Sequence, residues 1–176
     1  MTSFTLRFPL LHIQEWASRY EYPQESHITD VVGPQAKTRR YFTKSELLDL
    51  ARWKTPRSQS RVDSNCEEFI REVTRTALTT ESERLRIEVL TLLRGVGWPT
   101  ASVILHFAHA EQYPILDFRA LWSLGIDEPP SYDFGFWLAY TGKCRELAQE
   151  SGTCMRTLDR ALWQFSKDNQ KPTALV

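Results

Sequence analysis

Gly95, Gly97, Arg94 and Asp117 fall within one short stretch and together could do chemistry. In LLRGVGWPTASVILHFAHAEQYPILDF, residues 92–118, the two glycines flank a single valine, Arg94 precedes them, and Asp117 stands alone behind Pro114-Ile115-Leu116. Glycines this close admit backbone angles that a side chain forbids, so one helix can stop and the next start almost at once. A bare turn also leaves its amide N–H groups, and those of the next helix's first turn, open to an anion. A DNA phosphate suits such a turn, which can approach the backbone without reading bases. The same spelling serves equally for a tight turn between two packed helices. Asp117 carries two readings as well. A carboxylate with apolar neighbours can stabilise developing positive charge or orient and deprotonate water. Aspartate is also among the best helix N-caps, and Phe118 opens a candidate helix.

Other residues offer contacts to a strand. In ARWKTPR, residues 51–57, the Trp53 ring could stack on a base, while Lys54 and Arg57 could meet phosphate or base. Trp98, at the hairpin tip, could pack on the sugar–phosphate backbone, and YDFGFWLAY, residues 132–140, offers an aromatic wall. Aromatics at helical spacing are core residues more often than ligand platforms. A basic run spans Lys37, Arg39, Arg40, Lys44, Arg52, Lys54, Arg57 and Arg61, opposed only by Glu46 and Asp49. Such a run serves equally as a solvated face. His106 and His109 lie three apart on a candidate helix, but no third ligand follows at useful spacing, so they are read as surface or packing residues and no side-chain metal site is expected. Cys66, Cys144 and Cys154 include no C-x-x-C pair, which removes zinc ribbons and four-cysteine iron–sulfur loops and suits reduced thiols inside a cell.

The elements that must position these residues are helices. Thr43-x-x-Glu46, Ser64-x-x-Glu67 and Thr80-x-x-Glu83 have the capping-box form and predict helices over 44–53, 65–78 and 81–93. In the last of these, Leu85, Val89, Leu92 and Leu93 form a core-facing stripe. Pro99 fits the first turn of a helix running to about Ala110, with Ala101, Ile104, Leu105 and Ala108 on one side. A short helix over 118–124 ends at Gly125 and the DEPP turn, and two more cover 133–150 and 154–167. LLHIQEWASRY is a further helix, FTLRF and HITDVV are short extended pieces, and KDNQKPTALV is a loose end.

The expected fold is therefore an all-α bundle of one domain over residues 1–176, least defined over 1–42 and loose over 168–176. With 176 residues, 41 % of them hydrophobic and six tryptophans, the chain can build one core. Its 22 basic and 22 acidic residues cancel, so the overall field makes no case for a polyanionic partner. The start lacks a secretory signal and no apolar run is long enough for a bilayer, which predicts a soluble, cytoplasmic protein without membrane contact.

The longer string Leu93-x-Gly95-Val96-Gly97-x-x-Thr100-Ala101, with Asp117 sixteen positions beyond Ala101 and preceded by Pro-Ile-Leu, resembles the helix-hairpin-helix DNA glycosylases. It is most like the adenine-glycosylase branch, and the likeness spans residues 85–124. The resemblance implies that Gly95, Val96 and Gly97 grip a DNA phosphate, with hairpin carbonyls holding a monovalent cation. It implies that Thr100 and Ala101 begin the second helix of the motif and that Asp117 is the catalytic carboxylate. Arg94 stands where the family commonly has proline and adds a cation beside the proposed phosphate. Pro99 stands where bifunctional members carry a Schiff-base lysine, so a monofunctional enzyme is implied. The cysteine-ligated cluster of some members is absent.

Three functions stay open on the sequence. The first is a monofunctional DNA N-glycosylase binding duplex phosphates through Arg94, Gly95, Val96, Gly97, Trp98 and Thr100. The second is a non-catalytic helix-hairpin-helix nucleic-acid-binding or adaptor module derived from such an enzyme. The third is a helical protein with no nucleic-acid role.

Overall fold

The structure, a computed structural model, describes residues 3–22 and 25–171. Every regular element among them is helical: α1 (Ile13–Ser18), α2 (Glu25–His27), α3 (Gly33–Arg39), α4 (Lys44–Lys54), α5 (Gln59–Asp63) and α6 (Glu67–Thr79). Beyond these come α7 (Glu83–Glu88), α8 (Trp98–Ala108), α9 (Phe118–Ser123), α10 (Phe134–Glu150) and α11 (Met155–Asn169). The fold is all-α, as the capping and periodicity signals predict. The chain divides into two compact units, one formed by Met1–Glu21 and Leu116–Val176 and the other by Tyr22–Ile115.

The first unit is built around α11, which packs on α1, α9 and α10. Met155, Leu158, Ala161 and Leu162 are buried at helical spacing, giving α11 its apolar stripe. Phe165 lies 4.6 Å from Phe8 and 5.1 Å from Trp16, ring centre to ring centre, and so ties the incoming chain to α11. FTLRF finds no strand partner among the described residues. The Thr5 and Arg7 amides instead donate to the Leu124 and Ser123 carbonyls, each at 2.9 Å, and satisfy the end of α9. The helix of α11 runs to Asn169, so the expected loose end is helical over its first residues. Residues 172–176 of that stretch lie outside the described residues.

The second unit is centred on α8, in which Ala101, Ser102, Val103, Ile104 and Leu105 are all buried. Elements α3, α4, α6 and α7 surround it. HITDVV is helical, contrary to expectation. Ile28–Val32 is wound as a π-helix between α2 and α3. Four β-branched residues suggest a strand, but Ile28, Val32 and Ala36 are buried at four-residue steps, and that burial decides the conformation.

Two of the three capping boxes also differ. Thr43 and Glu46 form the reciprocal pair, whereas Ser64 donates to the Arg61 carbonyl and closes α5. Helix α6 begins later, at Glu67, whose carboxylate accepts from the Lys44 amide at 2.8 Å. Ser82 rather than Thr80 caps α7, accepting from the Leu85 amide. After Glu88 the helix tightens into a 3-10 turn over Val89–Leu92, and this changes its phase. The expected stripe is therefore misplaced at two positions: Leu85 is 45 % and Leu92 62 % exposed, while Ile87 and Leu90 are buried.

Arg86 is buried in that region and hydrogen-bonds the Tyr113 hydroxyl at 2.8 Å, together with Glu83 and the Thr80 carbonyl. His106 donates from Nδ1 to the Tyr113 carbonyl at 2.7 Å, and His109 accepts the Glu111 amide at 3.0 Å with its ring against Tyr113. Both histidines are thus placed by packing and backbone contacts. Burial first, and the Arg86 charge second, lower the His109 pKa below the ordinary 6.5. The neutral ring is the folded form, so the unfolded chain takes up the proton first. Its contribution to stability is full above 6.5 and is lost as pH falls through the lowered folded value. An NMR titration of His109 is expected to give a midpoint below 6.5; a midpoint at or above it would contradict this environment.

Candidate functional site

The glycine turn is held by one amide side chain. Asn65, just past α5, donates from Nδ2 to the Val62 carbonyl at 2.8 Å and the Arg94 carbonyl at 3.0 Å, and its Oδ1 accepts the Arg94 amide at 2.9 Å. Residue 94 is therefore gripped on both backbone groups. The next residue must then pass close to α5. Gly95 takes φ +82°, and a Cβ there would lie 2.9 Å from both the Val62 amide nitrogen and its Cγ2. Glycine is required at 95 on both counts.

Gly97 is different. It is extended, with φ −98°, and a Cβ would meet nothing nearer than Pro99 Cδ at 3.9 Å. Neither backbone angle nor space demands glycine. Its consequence is chemical: as the N-cap of α8 it provides no side-chain acceptor. Pro99 has no amide hydrogen, and the Trp98 and Thr100 amides find no intramolecular acceptor among the described residues. The start of α8 thus keeps free donors at its positive end.

That helix start opens onto a cleft of about 540 Å³ whose walls include Thr55, Arg57, Arg61, Arg94, Gly95, Gly97 and Thr100. The Thr55 and Thr100 hydroxyl oxygens lie 3.5 Å apart. Among the described residues three arginines line the cleft and no acid does. Eight arginines outside the cleft, Arg7, Arg19, Arg39, Arg52, Arg71, Arg84, Arg86 and Arg156, each pair with an acid. Arg57, Arg61 and Arg94 make no such pair among the described residues. Exposed cations around a concave surface with no counter-charge focus positive potential into it.

Several candidates from the sequence come together here: Arg57, Arg94, Gly95, Val96, Gly97 and Thr100 all line the cleft. Val96 and Thr100 are buried. Arg61 enters the sequence reading only as a member of the basic run, and Thr55 not at all. The signal for Arg61 was its place four residues beyond Arg57, a spacing that puts side chains on one face. Trp98 is half-buried and Lys54 half-buried, and neither lines the cleft. Trp53 corrects the sequence expectation. It is 8 % exposed, set edge-on to Tyr22 at 5.4 Å and Phe107 at 5.6 Å, so its ring is used by the core and offers no face to a base.

Asp117 lies in the first unit, half-buried, as the N-cap of α9; its Oδ1 accepts the Arg119 amide at 2.9 Å. Leu116 before it is buried and Phe118 after it is exposed. Two tyrosines feel its charge. Burial, then the Asp117 charge, raises the Tyr132 pKa above 10, and Asp117 also contributes to the rise at fully buried Tyr140. The carboxylate therefore has an aromatic neighbourhood drawn from the YDFGFWLAY stretch. Among the described residues no three His, Cys, Asp or Glu side chains gather as a metal site, and no helix is long and apolar enough to cross a membrane.

Asn65→Ala removes both bonds that hold Arg94 at the turn. It is expected to lower unfolding free energy by about 2 kcal/mol, because the part-buried amide and carbonyl of Arg94 both lose their partner. Chemical denaturation checks this; a change below about 0.5 kcal/mol would show the turn to be held otherwise. Comparison of the chain with models of known families, with curated proteins and with solved structures finds no match.

Proposed function

We propose that this chain binds duplex DNA by its phosphates through the arginine-lined cleft and hydrolyses a base–sugar bond with Asp117, as a monofunctional DNA N-glycosylase acting in base excision. The observation that carries the binding half is the set of three unanswered guanidinium groups around an uncapped helix start. Phosphate oxygens satisfy both features at once, the charge by Arg57, Arg61 and Arg94 and the free amides by hydrogen bonds. No base-reading side chain is needed for this contact. The carbonyls of Gly95 and Val96 accept no hydrogen bond among the described residues, so the turn retains acceptors for the monovalent cation that the resemblance implies. The free cysteines suit a reducing cytoplasm.

For the chemistry, breaking an N-glycosidic bond builds positive charge on the sugar. The Asp117 carboxylate, fixed by its bond to the Arg119 amide, would stabilise that charge and orient the attacking water. Water supplies hydroxide to the sugar carbon and its proton goes to the departing base. The second reading, a non-catalytic DNA-binding module, is favoured by one observation: no acid lines the cleft, and the Asp117 carboxylate already serves as a helix cap.

Asp117→Asn separates the two, since asparagine caps a helix as well as aspartate does. Wild type is expected to release a base from at least one member of a panel of lesion duplexes, and the variant at least about a hundredfold more slowly with unchanged DNA affinity. No release by wild type, or equal rates, sinks the enzyme and leaves the module. For binding, Arg57→Gln/Arg61→Gln/Arg94→Gln is expected to flatten the salt dependence of duplex affinity by roughly 2 to 3 in log–log slope. Gly97→Asp should keep or slightly raise stability by capping α8, yet lose affinity because the new carboxylate takes the amides. Unchanged affinity in both variants would end the cleft reading.

A further inference from the structure

The first unit carries a second concentration of positive charge, made of residues other than those at the glycine turn. Along α11, Arg156, Arg160, Trp163 and Lys167 follow one another at steps of four, three and four residues, which places them on one face. Two rings organise them. The Arg156 and Arg160 guanidinium carbons lie 5.4 and 5.6 Å from the Tyr20 ring centre. Arg119 and the Lys167 ammonium lie 5.4 and 5.3 Å from the Trp163 ring centre. Tyr20 and Trp163 themselves meet edge to face at 5.3 Å. Arg119 also covers the Phe118 ring at 5.1 Å.

Three acids of α1 and α11 are already engaged. Asp159 is buried and paired with Arg156, Asp168 accepts the Gln164 amide at 2.9 Å, and Glu15 pairs with Arg19. Arg119 and Lys167 form no ion pair among the described residues. Like charges gathered this way repel one another, and the rings offset only about 0.5–1 kcal/mol per contact at exposed sites. The face thus retains positive charge that an external anion would neutralise. A cation held against a ring has restricted motion, which lowers the ordering cost of binding.

We infer that this face of α11, with Tyr20 and Arg119, is a second DNA-backbone contact surface. The partner is a phosphodiester strand rather than a base, because cations cover the rings that would otherwise stack. From Arg156 to Lys167 the helix advances about 16 Å, which matches the rise of roughly five nucleotides along one strand. The inference extends the DNA-binding reading but draws on different residues, so either can fail alone.

The test uses the full chain, a short duplex and fluorescence anisotropy across a salt series, with circular dichroism to confirm folding. Arg119→Gln/Lys167→Gln is expected to reduce the log–log salt slope by about 2, both in wild type and in the Arg57→Gln/Arg61→Gln/Arg94→Gln background. Trp163→Leu, which keeps every cation, should weaken binding several-fold, and Trp163→Phe should restore it. A slope unmoved by Arg119→Gln/Lys167→Gln overturns the inference while leaving the cleft standing. A slope moved by that pair and not by the cleft variants supports it and removes the cleft. Loss of binding to phosphatidylserine vesicles, with duplex binding intact, would assign the face to a membrane surface and overturn it as well.

Discussion

The approach of residue 95 to the end of α5 constrains everything proposed for the second unit. Because the Asn65 side chain holds Arg94 by both backbone groups, the following residue is pushed against Val62 with no room for a Cβ. Once that contact is made, the chain has only Val96 and Gly97 before α8 must begin. The helix start is therefore delivered beside Arg61, on the last turn of α5, and beside Arg57 one turn earlier. Charge, free amides and concavity follow from a single tight contact between two backbone segments.

Gly95 and Gly97 look identical in the sequence and have different reasons. The first is steric, and its removal is a matter of stability. The second is the absence of a hydrogen-bond acceptor at a helix terminus, and replacing it alters what the terminus can hold. Natural helices favour Ser, Thr, Asp or Asn at that position. A bare residue there leaves the first-turn donors of α8 to another acceptor.

Helix class and most boundaries were legible because they depend on local signals. The Thr43 box, the Asp117 cap and the apolar side of α8 all have such signals, and the structure agrees with each. Where longer-range contacts decide, local signals mislead. Ser64 and Thr80 have the spelling of caps, yet neighbouring carbonyls and Ser82 redirect them. The tightening after Glu88 rotates the apolar stripe by a fraction of a turn, which no periodicity count anticipates. Of the candidate site, the turn and Arg57 were legible from residue type and spacing. The contribution of Arg61 needed the fold, because only the docking of α5 brings it to the turn. Trp53 was misjudged because an aromatic in a basic stretch suits a binding platform and a core equally; its contacts with Tyr22 and Phe107 decide for the core.

The division of the chain has a consequence for its assembly. Tyr22–Ile115 is one uninterrupted run, whereas its companion is made of two pieces separated by that entire run. Phe8 and Trp16 can reach Phe165 only after the intervening segment has brought the two pieces near each other. Loop-closure entropy rises with the length that must be closed, and a prefolded insert shortens the effective loop. The continuous half is thus suited to acquire structure first. Deleting the leading residues would strip α11 of the α1 surface on which it packs, even though they stand furthest from it in the chain.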